Sequence, residues 1–117
     1  MKIMMTLLSL LTLSFLSFSV WSENYSFLDD TAGQYFDDQD WALFTKGQKQ
    51  ALNYYHDGSK LTWKNPKTGS WGSFVPSHTS KKMGLVCRDL TIVNSANNRI
   101  GKSTLTFCKE NGQWKGV

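Results

Sequence analysis

Two cysteines, two histidines and two pairs of adjacent aspartates are the groups in this chain whose types could do chemistry. A metal centre needs three or four converging ligands. His56 and His78 supply only two if Cys87 and Cys108 bond to each other, so neither a metal nor any other cofactor is expected. Serines are plentiful, yet none has the glycines around it that a nucleophile elbow requires, and no phosphate-cradling glycine loop is present. Asp29-Asp30 and Asp37-Asp38 resemble general acid–base pairs, but they sit in or just after an acidic stretch and before a helical pattern, where solvation and capping account for them. No catalytic residue is assigned, and the chain is not expected to be an enzyme.

The cysteines carry a sharper message. They stand equidistant from Asn97-Asn98, a dipeptide suited to a two-residue turn with positive φ. Each residue then faces the one whose number completes 195, so Leu90 meets Leu105 and Cys87 meets Cys108. Ala96 and Arg99 form the hydrogen-bonded pair beside that turn, which puts the cysteines in a non-hydrogen-bonded pair. There Cα atoms approach to about 4.5 Å, close enough for a disulfide. Closing a loop of about 22 residues stabilises the fold by about 3 kcal/mol on a chain-entropy argument.

Such a bond needs an oxidising compartment, and the first residues suggest one. Lys2 is followed by an uncharged apolar run from Ile3 to Phe18, and Val20-Trp21-Ser22 forms a cleavage site before Glu23, so residues 1–22 read as a signal peptide. The leader has no cysteine, so no lipid anchor is expected, and no second stretch is long and apolar enough to cross a bilayer. The product is expected to be exported, to the periplasm, the outer membrane or the medium.

At 117 residues the chain holds one domain. Its charge is divided. From Glu23 to Asp40 there are six acids and no base, whereas from Trp41 to Val117 twelve bases face only Asp57, Asp89 and Glu110. An acidic N-terminal arm (23–37) is thus expected ahead of a basic body (38–117); either the arm folds back over the body or the lysines serve solubility, or the body is suited to an anionic envelope component or protein partner. Nucleic acid is excluded as a partner by the export signal.

These residues need a scaffold, and the pattern supplies one. Trp41, Phe44, Ala51, Leu52 and Tyr55 recur at helical spacing, with Asp37 or Asp38 as cap and Gly58 as the expected stop. Gly47 lies inside that helix, at a cost of about 1 kcal/mol relative to alanine. Beyond Gly58 the period becomes two. Strands at 61–64 and 70–75 flank the turn Asn65-Pro66-Lys67-Thr68-Gly69, in a register that sets Trp63 opposite Gly72 and Lys64 beside Trp71. Trp71 is expected to be exposed, and with Lys64 and Lys67 it forms the candidate interaction surface. Arg88, by parity, lies among apolar residues opposite Phe107, where it can contact the ring or a carbonyl at the helix end. Asn111-Gly112 signals a last turn that brings Trp114 opposite Lys109. The expected fold is α+β, one N-terminal helix packed on an antiparallel meander of four to five strands with one cross-strand disulfide.

Ala51-Leu52, Trp63-x-Asn65-Pro66-x-Thr68-Gly69, Gly72, Pro76, Cys87-Arg88, Cys108 and Gly112-x-Trp114 together resemble the C-terminal domain of the rickettsial 17 kDa surface antigen family of bacterial envelope proteins. The likeness spans about Asp40 to Trp114. It implies a non-enzymatic protein of the outer membrane or periplasm, with a structural or interaction role. Members of that family are typically lipoproteins with a glycine-rich segment before this domain. Here the lipid-bearing cysteine and that segment are both missing, and Lys109 stands where arginine is usual. The alternative reading is a secreted or periplasmic binding protein or inhibitor that recognises an anionic partner.

Overall fold

Asp37 starts the helix by a reciprocal exchange. Its carboxylate accepts the Asp40 amide at 2.8 Å, and the Asp40 carboxylate accepts the Asp37 amide at 3.0 Å. This is a capping box with aspartate at both ends. The computed structural model describes residues 32–117; the expected signal peptide and residues 23–31 of the expected arm lie outside the described residues. The helix, α1, spans Asp38–Tyr54, and Asp38 and Asp40 lie in its first turn, where the helix dipole favours negative charge. Asp40, Phe44, Gly47, Ala51 and Leu52 make its buried stripe. The stop is earlier than expected. Tyr55 leaves the helix with extended backbone while its N–H donates to the Ala51 carbonyl, and Gly58, at φ +87°, shapes the following turn and donates to the Pro76 carbonyl.

Five antiparallel strands follow in sequential order: β1 (Leu61–Lys64), β2 (Trp71–Lys82), β3 (Leu85–Ala96), β4 (Arg99–Glu110) and β5 (Gln113–Gly116). The three expected registers are those observed, Lys109 pairing with Trp114 in the last. Trp63 pairs with Gly72 and Leu61 with Phe74; Leu90 pairs with Leu105 and Cys87 with Cys108. The cysteines form a disulfide with Cα atoms 4.0 Å apart. Glycine at 72 is required by close approach, since a Cβ there would lie 2.5 Å from the Trp63 indole nitrogen. β2 runs on past Val75, where the sequence reading ended it. Pro76 passes because β1 pairs no further than Phe74, so its missing N–H faces an edge. A bulge between Ser77 and Ser80 then carries His78 at φ 50°. β5 pairs only with Phe107 to Glu110. Among the described residues, the outer edge of β4 from Arg99 to Leu105 has no backbone partner.

The core lies between α1 and one face of the sheet. Phe36, Trp41, Phe44, Trp63 and Phe74 meet edge-on or tilted with ring centroids 5.1–6.4 Å apart, the arrangement aromatic quadrupoles favour. Phe36 belongs to the stretch assigned to the acidic arm. It follows a 3-10 turn (Gly33–Tyr35), and Ala32 is fully buried. Residues 32–37 are therefore part of the packed unit, because Phe36 covers the Trp41–Phe44 edge that the helix alone leaves bare.

Gly47 faces Phe74 and Leu61 from within α1. A Cβ there would sit 2.9 Å from Phe74 Cε2 and 3.1 Å from Leu61 Cδ2, and Phe74 is wholly enclosed. Gly47→Ala should thus lose more to overpacking, about 1–3 kcal/mol, than the roughly 1 kcal/mol it gains in helix propensity. Urea titration should show a lower unfolding midpoint; a higher one would mean that the helix can lift off β1 and β2 at no cost.

Candidate interaction surfaces

Arg88 is the most heavily engaged side chain in the described structure. It projects from β3 on the helix side and is nearly buried, with 7% of its surface exposed. Nη1 donates to the carbonyls of Leu52 at 2.8 Å and Ala51 at 3.2 Å, Nη2 to the Tyr55 carbonyl at 2.6 Å and Asp57 Oδ1 at 2.9 Å, and Nε to Thr79 Oγ1 at 2.8 Å. The last carbonyls of a helix lack intrahelical partners and carry its negative pole. A guanidinium satisfies both needs at once. Of the two contacts the sequence allowed, the structure shows bonds to the helix-end carbonyls.

Asp57 completes that cluster from the loop after α1. Its carboxylate accepts the Thr79 hydroxyl at 2.6 Å, the Arg88 guanidinium, and the Thr79 amide at 3.1 Å. These bonds, the Thr79 hydroxyl first, hold its pKa down from the ordinary 3.8 to about 2.

Asp40 does the corresponding work at the other end of α1. It is fully buried, and burial alone would push its carboxyl up; the Asp37 amide, then Asn65, Thr68 and Ser70, outweigh that and leave it lowered. Asn65 Nδ2 donates to Asp40 Oδ1 at 2.8 Å and Thr68 Oγ1 donates to the same atom at 2.9 Å. The Asn65-Pro66-x-Thr68-Gly69 turn is thus a cradle for a helix carboxylate. Sequence reasoning missed Asp40, and the only signal for it was an acid three residues after a capping acid.

Trp71, Lys64 and Lys67 fall where the strand pattern put them, with a difference in exposure. Trp71 pairs with Lys64 on β1 and Ser95 on β3, on the sheet face that α1 does not cover. It is half-buried because those two partners flank it across the strands and Val93 is its diagonal neighbour. Lys64 and Lys67 are exposed, and the Lys67 amide is spent on Asn65 Oδ1. His78 was not singled out as a contact residue. It points to Asp89 at 3.2 Å, and Asp89 accepts the Thr106 hydroxyl at 2.7 Å. His56 lies in the other loop, beside Asp57.

A family model described as the 17 kDa outer membrane surface antigen matches residues 50–115, over half the chain. The chain belongs to this family. A 17 kDa surface antigen of Rickettsia bellii is 32% identical over 87 residues, 73% of this chain and 55% of that protein. Proteins of the same name from Rickettsia conorii and Rickettsia prowazekii are each 30% identical over 83 residues, 69% of this chain and 52% of theirs. The chain spans about half the length of the curated relatives it matches. No solved structure matches it significantly. Within the surface antigen match lie Arg88, all four of its backbone and side-chain partner residues near the helix end and in the Asp57 loop, both cysteines and the Asn65–Gly69 turn; Asp37 and Asp40 precede it.

Two measurements test the Arg88–Asp57 cluster. Arg88→Met leaves the Leu52 and Tyr55 carbonyls without their donor and should lower unfolding stability by about 3 kcal/mol. For Asp57 the folded pKa is depressed, so its contribution is complete above about pH 4 and is lost as pH falls through about 2. Asp57→Asn should therefore flatten the decline in the urea midpoint between those pH values. An unchanged slope would mean that the carboxylate's bonds do not persist in solution.

Proposed function

We propose that this chain is a non-enzymatic module of the cell envelope that works through the surfaces its fold presents. One observation carries this reading. The buried ionisable groups, Asp40 and Arg88, are saturated by bonds that fasten α1 to the sheet, and neither keeps a charged atom free to act on a substrate. The polar clusters that would otherwise suggest an active site are fastenings. Family membership supports an exported, cell-surface setting, as the relatives' names indicate. No described helix is long and apolar enough to cross a membrane.

Fractionation of cells that make the tagged full chain tests this. The protein should sediment with the envelope and be released by detergent, and protease added to intact or outer-membrane-permeabilised cells should reach it. Recovery wholly in the cytosol would overturn the envelope role.

A second reading, recognition of an anionic partner by Trp71, Lys64 and Lys67, is favoured by the position of Trp71 beside Lys64 on the uncovered face and by the absence of an ion pair at either lysine among the described residues. Replacing all three by alanine should weaken salt-sensitive retention on envelope material; unchanged retention would remove this patch from consideration.

A further inference from the structure

Three two-residue turns join the strands from β2 to β5, and each holds both central residues at positive φ: Met83 (52°) with Gly84 (81°), Asn97 (52°) with Asn98 (60°), and Asn111 (53°) with Gly112 (79°). That conformation favours glycine and asparagine, because a Cβ crowds the following carbonyl and asparagine recovers part of the cost through local hydrogen bonds. Met83 has no such recourse. It is also fully exposed, at 100% of its accessible surface. A residue that strains its turn and gains nothing from burial is explained if the side chain meets something outside the molecule.

The surroundings of Met83 say what that is. Lys81 and Lys82 precede it, are exposed, and make no ion pair with a described residue. The carboxylates of the basic body are engaged elsewhere: Asp57 with Arg88, Asp89 with His78 and Thr106, Glu110 with Lys115. Lys81 pairs with Val86 and Lys82 with Leu85, so the two ammonium groups start from opposite faces of the hairpin. Val86 is itself 37% exposed. An apolar end ringed by cations fits a planar layer entered end-on, where a flexible thioether settles among acyl chains and lysine stems reach back to headgroup phosphates. A groove on a protein would instead engage one face of the hairpin.

We propose that the β2–β3 hairpin tip, Lys81 to Val86, is a membrane-surface contact that places Met83 between the headgroups of an anionic lipid layer, with Lys81 and Lys82 on their phosphates. This rests on the envelope reading and names the element that touches the membrane.

Site-specific oxidation tests it in the full chain. Dilute peroxide converts exposed methionine to its sulfoxide, and mass spectrometry of the Met83 peptide gives the rate at that residue whatever else in the chain meets lipid. Vesicles of phosphatidylglycerol with phosphatidylcholine should slow oxidation at least about fivefold at low salt, and raising salt to about 0.5 M should largely restore the rate. Phosphatidylcholine vesicles or inorganic phosphate alone should leave the rate unchanged. Lys81→Gln with Lys82→Gln should abolish protection, whereas the charge-matched Lys64→Gln with Lys67→Gln should keep it. Met83→Asn suits the turn better, so it should fold at least as stably and yet lose the anionic-vesicle excess in a flotation assay.

Equal protection by both kinds of vesicle, equal loss in the two lysine pairs, or protection that grows with protein concentration without lipid would each overturn the proposal. The last would indicate a second copy of the chain. Protection on vesicles combined with cytosolic recovery in cells would sink the envelope reading alone, and the reverse combination would sink the tip alone.

Discussion

A single guanidinium, carried on β3, decides where the helix ends and how it lies on the sheet. The carbonyls of Leu52 and Tyr55 have no further turn of helix to bond to, that of Ala51 has only the Tyr55 amide, and water is largely kept from the Arg88 side of them. Without Arg88 they would be buried acceptors beside a partial negative pole. With it, a cation that would be costly in the core is neutralised and fully bonded. At the opposite end Asp40 meets the positive pole and is bonded by the β1–β2 turn. The sheet therefore offers an anion-binding turn at one place and a cation at another, and only one direction of the helix satisfies both. Apolar packing holds α1 against the sheet; the two charges specify its polarity.

That arrangement also explains which parts of the molecule could be read in the sequence. Hairpins are local: Asn97-Asn98 and Asn111-Gly112 fix their own registers through turn chemistry, and the pairing of Cys87 with Cys108 follows by counting. The Trp63–Gly72 pair was legible for the same reason. The polar fastenings are not local. Asp40 finds Asn65 and Thr68 more than twenty residues away, and Arg88 finds α1 more than thirty residues away, distances over which periodicity carries no information. Parity alone flagged Arg88. The helix stop was misplaced because Gly58 supplied a familiar signal while the group that caps the helix came from β3. Met83-Gly84 was overlooked as a turn because methionine is not a residue that left-handed backbone selects.

Placing Phe36 in the core changes how charge is distributed. Asp37 and Asp40 are engaged in the capping box and Asp40 also by the β1–β2 turn, whereas Asp38 stays an exposed acid of the first helical turn.

The outer edge of β4 has a consequence for solubility. From Arg99 to Leu105 its backbone donors and acceptors are unpaired among the described residues, which is a template on which another strand could grow. Ile100, 63% exposed, would welcome it. Arg99 and Lys102 stand on the same stretch, so two copies meeting edge to edge would bring four cations into a short line. Such an edge resists self-association by repulsion, with no covering element among the described residues and without giving up any of the sheet's length.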